Sequence, residues 1–255
     1  EEEAIYYFAG NKFRTSYYFM LLWSVIYVKF YEKFKVNVVL FVLYRFSFVF
    51  LIMFCYWIKC STAVVGSIVM LLMTFFSERV RKKLLSWKVI IVSIVVVGLI
   101  ILLLRQIVDI EYIEYFIVNI LGENLGLTGR FVIYDRLFDI VKIHPFFGFG
   151  YGNSAIQAYV ASYFSNAQNS VIQGVIDYGL FGAVAFGLMI RQLFVIKTNV
   201  EIGTDDINRI WGMYMFVFSM IICSIVEITF NYMFYTALFF VGAYITQIVN
   251  VGDEE

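Results

Sequence analysis

Long apolar runs separated by short charged segments dominate the chain, and they set its class. A helix that crosses a bilayer needs about 20 predominantly apolar residues. Seven runs approach that length, over about 16–30, 37–57, 62–77, 88–104, 170–196, 209–228 and 230–249. Strands of a membrane barrel would read as alternating segments of about ten residues. These runs are longer and do not alternate, so the pattern predicts an all-α, polytopic transmembrane helical bundle of about seven spans. One connection is out of proportion. Residues 105–169 form a large loop between the fourth and fifth runs, with short helices expected inside it. Connections of that length are usually functional when ordered. The expected organisation is one membrane domain, 1–255, with this loop inserted.

The basic residues orient the spans. Lys29, Lys33 and Lys35 follow the first run; Arg79, Arg81, Lys82, Lys83 and Lys88 follow the third; Arg191, Lys197 and Arg209 follow the fifth. Cytoplasmic loops carry the excess of Lys and Arg, so these three loops lie inside. Residues 105–169 and the Gly10-Asn11-Lys12 stretch then lie outside, and the C-terminus is cytoplasmic. Of the remaining cations Arg45 is unusual, because it falls within the second run. A guanidinium there needs a partner such as Asp177, a lipid phosphate, or a long reach toward the interface.

Composition agrees with the pattern and removes other classes. The 255 residues are 62% hydrophobic and 15% charged, with a mean hydropathy of +0.84. Soluble domains are nearer half apolar and a quarter charged. A formal net charge of zero gives no footprint for nucleic acid. No phosphate-binding GxxxxGK[ST] loop, HExxH or zinc-type Cys/His spacing occurs. Cys55, Cys60 and Cys223 sit in or beside apolar runs and read as small buried hydrophobes. The chain opens on Glu1-Glu2-Glu3 with no initiator Met, so the C-terminal part of a longer polypeptide is expected.

Within the long loop, Asp109 to Phe116 alternates acids with aromatic and aliphatic residues and could lie flat on the interface. Thr128 is a plausible N-cap for a helix from Gly129 to Ile143, which Pro145 must end. Phe147-Gly148-Phe149-Gly150-Tyr151-Gly152 is a glycine turn after a helix, and so no dinucleotide site. In the fifth run Gly179, Ala183 and Gly187 recur every four residues, the spacing of plain close helix packing. The stretch Asn166-Ala167-Gln168-Asn169, running into the fifth span, marks the entry of a polar loop into the membrane.

Several of these segments resemble one family. Gly129-Arg130-x-x-x-Tyr134 is similar to a Gly-Arg-x-x-x-Trp motif of the O-antigen ligase and polymerase superfamily. His144-Pro145-Phe146-Phe147-Gly148-Phe149-Gly150 resembles its Pro-x-x-Gly-x-Gly turn. Gln168-Asn169-x9-Gly179-x-x-Gly182 resembles its His-[Asn/Ser/Gln]-x9-Gly-x-x-Gly signature, with Gln168 where the family carries His. Gly10-Asn11-Lys12-Phe13-Arg14 and Lys59-Cys60-Ser61-Thr62-Ala63 are similar to shorter segments that precede spans there. The resemblance implies a GT-C-like glycosyltransferase of the bacterial cytoplasmic (inner) membrane. Such an enzyme acts at the outer face on undecaprenyl-pyrophosphate-linked glycans, with the lipid pyrophosphate as leaving group and no nucleotide or metal cofactor. The implied partners are the lipid-linked donor and acceptor, membrane lipid and a chain-length regulator. Full-length relatives carry further helices before the first one here.

The residues themselves supply the parts of such a reaction. Departure of a pyrophosphate builds negative charge that a fixed cation must meet, and the planar fork of Arg suits phosphate. Arg130 is the expected contact. Arg136 is six residues on, about 240° round a helix, with Asp139 at i+3 as a possible surface partner. Lys12 and Arg14 are secondary candidates on the same side. For the acceptor hydroxyl, Gln168 cannot take a proton, so Gln168 and Asn169 are expected to hold sugar hydroxyls by hydrogen bonds. Asp177 lies nine residues on, about 13 Å along a helix, and is one base to consider; Glu227 and His144 are two others. A dissociative transition state that needs positioning alone is a fourth reading. Polymerase and ligase share this chemistry. A transporter or flippase would instead show internal repeats and helices broken at the midplane.

Overall fold

The computed structural model describes residues 10–108, 115, 118–119, 130–194 and 204–252. Side chains are described over 10–100, 115, 118–119, 132–194 and 205–245. The described residues form ten helices and no strands: α1 (Lys12–Val36), α2 (Val38–Trp57), α3 (Ser61–Met73), α4 (Glu78–Leu84), α5 (Trp87–Val108), α6 (Arg130–Ile143), α7 (Ala155–Tyr159), α8 (Ser170–Phe194), α9 (Thr204–Cys223) and α10 (Tyr232–Gly252). The expected all-α class holds. Thr128 and most of the 109–116 segment lie outside the described residues.

Each of the seven apolar runs has become a helix, but fewer are spans by length and apolarity. Val38–Trp57 and Ser170–Phe194 are long and apolar enough to cross a membrane. A third qualifies if α4 and the following Trp87–Ile100 count as one span bent by 72°. The shortfall against seven has physical causes. Thirteen residues of α3 rise only about 20 Å, short of a hydrocarbon core of about 30 Å. Cations crowd both ends of α1, and α9 opens on Thr204-Asp205-Asp206.

The chain divides into two compact units, residues 1–90, 192–223 and 230–255 in one, and 91–191 with 224–229 in the other. In the first, α9 is the centre. Ile210, Trp211, Tyr214, Phe216, Val217, Met220 and Ile221 are all buried, which places apolar side chains around nearly the whole circumference of the helix. It packs against α1, α3, α4 and α10. Its few polar atoms are bonded: Trp211 Nε1 donates to the Met73 carbonyl at 3.1 Å and Ser219 Oγ to the Gly66 carbonyl at 2.8 Å. Asn37 links α1 to α2 by accepting from Leu40 N at 3.0 Å, a side-chain N-cap. All three cysteines are buried thiols, as their apolar setting predicts.

In the second unit α6 is amphipathic. Ile133, Tyr134, Leu137 and Ile140 fall at helical spacing and bury their shared face against Ala155 and Ile156 of α7, Phe164, Ala167, and Ile172 and Ile176 of α8. This small core holds the loop residues 145–169 against the start of α8.

Candidate functional site

The site is built around a break in α8. Gly179 has φ 63° and ψ −164°, and the helix is interrupted there. A break deep in an apolar helix frees backbone groups that hydrocarbon cannot satisfy, so other protein must. The segment Pro145–Gly150 does this. Phe149 N and Gly150 N donate to the carbonyls of Ile176 and Asp177, each at 2.8 Å; Leu180 N and Phe181 N donate to Pro145 O at 2.9 Å and Phe146 O at 3.0 Å. The two segments approach so closely that side chains are excluded. A Cβ on Gly148 would lie 2.5 Å from the backbone of Asp177, and one on Gly179 would lie 2.4 Å from that of Phe146. The two glycine motifs are therefore the halves of one joint. For Gly179 this corrects the expectation of plain helix packing; Gly187, with Ile91 Cδ1 3.9 Å from its notional Cβ, fits that expectation.

The joint fixes Asp177. Its side chain is buried, 6% exposed. Oδ1 accepts from Gln173 Nε2 at 2.7 Å and from Asn153 Nδ2 at 2.8 Å. No cation faces this carboxylate among the described residues, and both of its donors there reach Oδ1. Both donors are themselves held. Asn153 also donates to Gly150 O at 2.6 Å and accepts from Ala155 N at 3.0 Å, where it opens α7. Gln173 sits one turn before Asp177 on the same face and accepts from Ala167 N at 2.8 Å through Oε1. A line of hydrogen bonds thus runs from the backbone beside Gln168, through Gln173, to the carboxylate.

The Gln168-Asn169 pair separates into two roles. Gln168 adopts φ 53°, a left-handed conformation, while its N–H donates to Asn166 Oδ1 at 2.9 Å. Its side-chain carboxamide is half-buried and makes no hydrogen bond among the described residues. Asn169 is fully buried, and both ends of its carboxamide are engaged: Oδ1 caps α8 by accepting from Ile172 N at 2.8 Å, and Nδ2 donates to Ile225 O at 3.1 Å. Ser170 completes the anchor. Its Oγ donates to Glu227 O at 3.0 Å and accepts from Thr229 N at 2.7 Å.

The other expected site residues are placed as follows. Arg130 opens α6, and its side chain lies outside the described residues. Arg136 is exposed on the solvent face of α6 and makes no ion pair with Asp139. Glu227 turns onto its own backbone, accepting from Ile228 N at 3.1 Å. His144 is exposed, and its ring stands edge-on to Phe149 at 4.7 Å. Lys12 and Arg14 belong to the first unit, where Asn11 Oδ1 accepts from Arg14 N at 2.9 Å to cap α1. The positioning residues Asn153 and Gln173 were not singled out from sequence. Gln173 at four residues before Asp177 was a legible pair; Asn153 joins it only through the fold.

An all-helical membrane protein with a carboxylate seated at a broken apolar helix is the class that this geometry defines. A family model described as O-antigen ligase matches residues 46–187, more than half of the chain, and spans α6, α7, the glycine turn and the break. The chain belongs to the O-antigen ligase family. No curated protein and no solved structure matches it.

Proposed function

We propose that the protein is a membrane glycosyltransferase that polymerises undecaprenyl-pyrophosphate-linked oligosaccharide units at the outer face of the bacterial inner membrane. The observation that carries this reading is Asp177: a buried carboxylate that no cation faces among the described residues, its Oδ1 held by two carboxamides. An ionisable group kept in an apolar span at such expense is functional by default. In the reaction, the acceptor hydroxyl oxygen bonds to the anomeric carbon of the donor sugar as the bond from that carbon to pyrophosphate breaks. The hydroxyl proton passes to Asp177 Oδ2, and the lipid pyrophosphate departs against Arg130. Gln168, with its carboxamide free, orients the acceptor sugar; Asn169 sets the loop that presents it. Arg136, exposed on the helix that Arg130 opens, is a second phosphate contact.

The broken helix is a feature that transporters share. Here the four backbone groups at the break are bonded to the glycine turn and are not open to a cargo, which favours the enzyme. Transfer of the finished glycan to a lipid or protein acceptor is the second reading, favoured by the family's description as a ligase. The test uses cells that depend on this protein for polymer. Arg130→Ala and Asp177→Asn should each abolish the polymer ladder while the protein stays in the membrane at normal level. A ladder that persists on the carrier lipid in the variants and is missing only from the final acceptor would instead support the ligase reading. Unchanged ladder length in both variants would overturn the assignment of the site.

A further inference from the structure

The first unit contains a pair of arginines that the proposed reaction does not use. Arg45 lies seven residues into α2, about 10 Å from its start. It does not reach for a carboxylate. Its Nη2 donates to the Thr74 carbonyl at 2.8 Å, at the C-terminal end of α3, and its guanidinium lies between two rings, 4.2 Å from the centroid of Phe41 and 4.3 Å from that of Phe75. Its Nε–H is buried without a partner. Arg81 of α4 converges on the same carbonyl, with Nη2 at 3.4 Å, while its Nε donates to Phe76 O at 2.9 Å and Nη1 to Asn208 Oδ1 at 2.6 Å.

Two guanidiniums thus share one carbonyl oxygen, and among the described residues no acid pairs with either of them. The described carboxylates of this unit are engaged elsewhere: Asp205 with Lys35, Glu32 with Arg209, Glu78 with Lys82, and Asp206 with the Tyr244 hydroxyl. Exposed Arg79, Lys83 and Lys88 add to the excess positive charge around α4. Exposed Phe75 packs on the Arg45 guanidinium, and exposed Phe46 and Leu72 lie on the same two helical segments, next to Arg45 in α2 and near the end of α3. A positive centre against exposed apolar surface fits an amphipathic anion better than a free one. Guanidiniums suit phosphate, because the planar fork donates two parallel hydrogen bonds. A basic membrane face also attracts anionic lipid.

We propose that Arg45 and Arg81, joined at the Thr74 carbonyl, bind the phosphate of an anionic phospholipid whose chains lie along Phe46, Leu72 and Phe75. This inference is independent of the glycosyltransferase reading. The full chain, purified in a mild detergent, is incubated with phosphatidylglycerol or with phosphatidylcholine, and bound lipid is counted by native mass spectrometry. Phosphatidylglycerol should be retained at least tenfold better than phosphatidylcholine. Arg45→Gln should reduce its retention about tenfold with the helical circular dichroism unchanged. Should that variant fail to fold, Arg45→Lys keeps the charge without the fork and should still lower retention several-fold. Equal retention of the two lipids, or unchanged phosphatidylglycerol retention in whichever variant folds, would overturn the site. Displacement of the lipid by millimolar inorganic phosphate would assign it to a free anion and overturn the lipid.

Discussion

At the scale of single residues, the chemistry rests on how carboxamides and one carboxylate are held. Among the described residues Asp177 has two donors, both on Oδ1, so the substitutions around it should rank. Asp177→Asn removes the proposed proton acceptor and should lower turnover by about 10²-fold or more, the range of general-base catalysis. Gln173→Leu and Asn153→Leu leave the carboxylate but remove one fixed donor each. They should lower kcat with KM little changed, because the carboxylate loses its fixed orientation. An unchanged kcat would show that the donors only support the fold. Gln168→His restores the residue of the family motif at a position whose side chain makes no internal bond, and should retain or raise polymer yield. The role of Asp177 could be suspected from sequence, since acids are rare in spans. That of Asn169 was read differently, because nothing in the order of residues shows that Ile172 and Ile225 would occupy both ends of its carboxamide.

At the scale of elements, the joint between the glycine turn and α8 explains why glycines recur in both motifs, and it separates them by cost. Gly148→Ala and Gly179→Ala each force a Cβ into backbone at about 2.5 Å while demanding a left-handed φ. Each should destabilise by about 3 kcal/mol or more. Gly150→Ala and Gly152→Ala also carry positive φ, but no atom lies within 4 Å of the added Cβ. They should cost only the backbone penalty, about 1 kcal/mol. Thermal melts of the four variants in one detergent give the comparison, and equal losses would contradict the joint. A second element-level prediction concerns α1 and α9. Lys35 beside Asp205 holds that carboxyl below the usual aspartate range. A depressed folded-state value stabilises above the ordinary value near pH 4 and is lost as pH falls through the folded one. Asp205→Asn should therefore lower the melting temperature at pH 7 in low salt, and the difference from wild type should shrink as the pH is lowered from the ordinary aspartate value toward the depressed one.

At the scale of the whole molecule, the topology ties these parts to the two faces of a membrane. If the basic loops are inside, a cysteine replacing Tyr163, which is 76% exposed, should react with a membrane-impermeant maleimide in intact cells. A cysteine replacing Arg79 should react only after permeabilisation. The three native cysteines are buried and should stay silent. The reverse labelling pattern would place the Asp177 site on the cytoplasmic side and remove the outer-face reaction. What the linear order of residues determined by itself is the class: seven apolar runs, each of which became a helix, and motifs whose spacing fixes their family. Apolar periodicity and glycine spacing are local properties, so they survive without knowledge of the fold. What only the tertiary structure decided is which polar atoms remain unspent. Hydrogen bonds between residues 24 positions apart, such as Asn153 to Asp177, or 29 apart, such as Arg45 to Thr74, depend on chain reversals that no local pattern encodes. Those bonds decide which groups brace the molecule and which are left to meet a ligand.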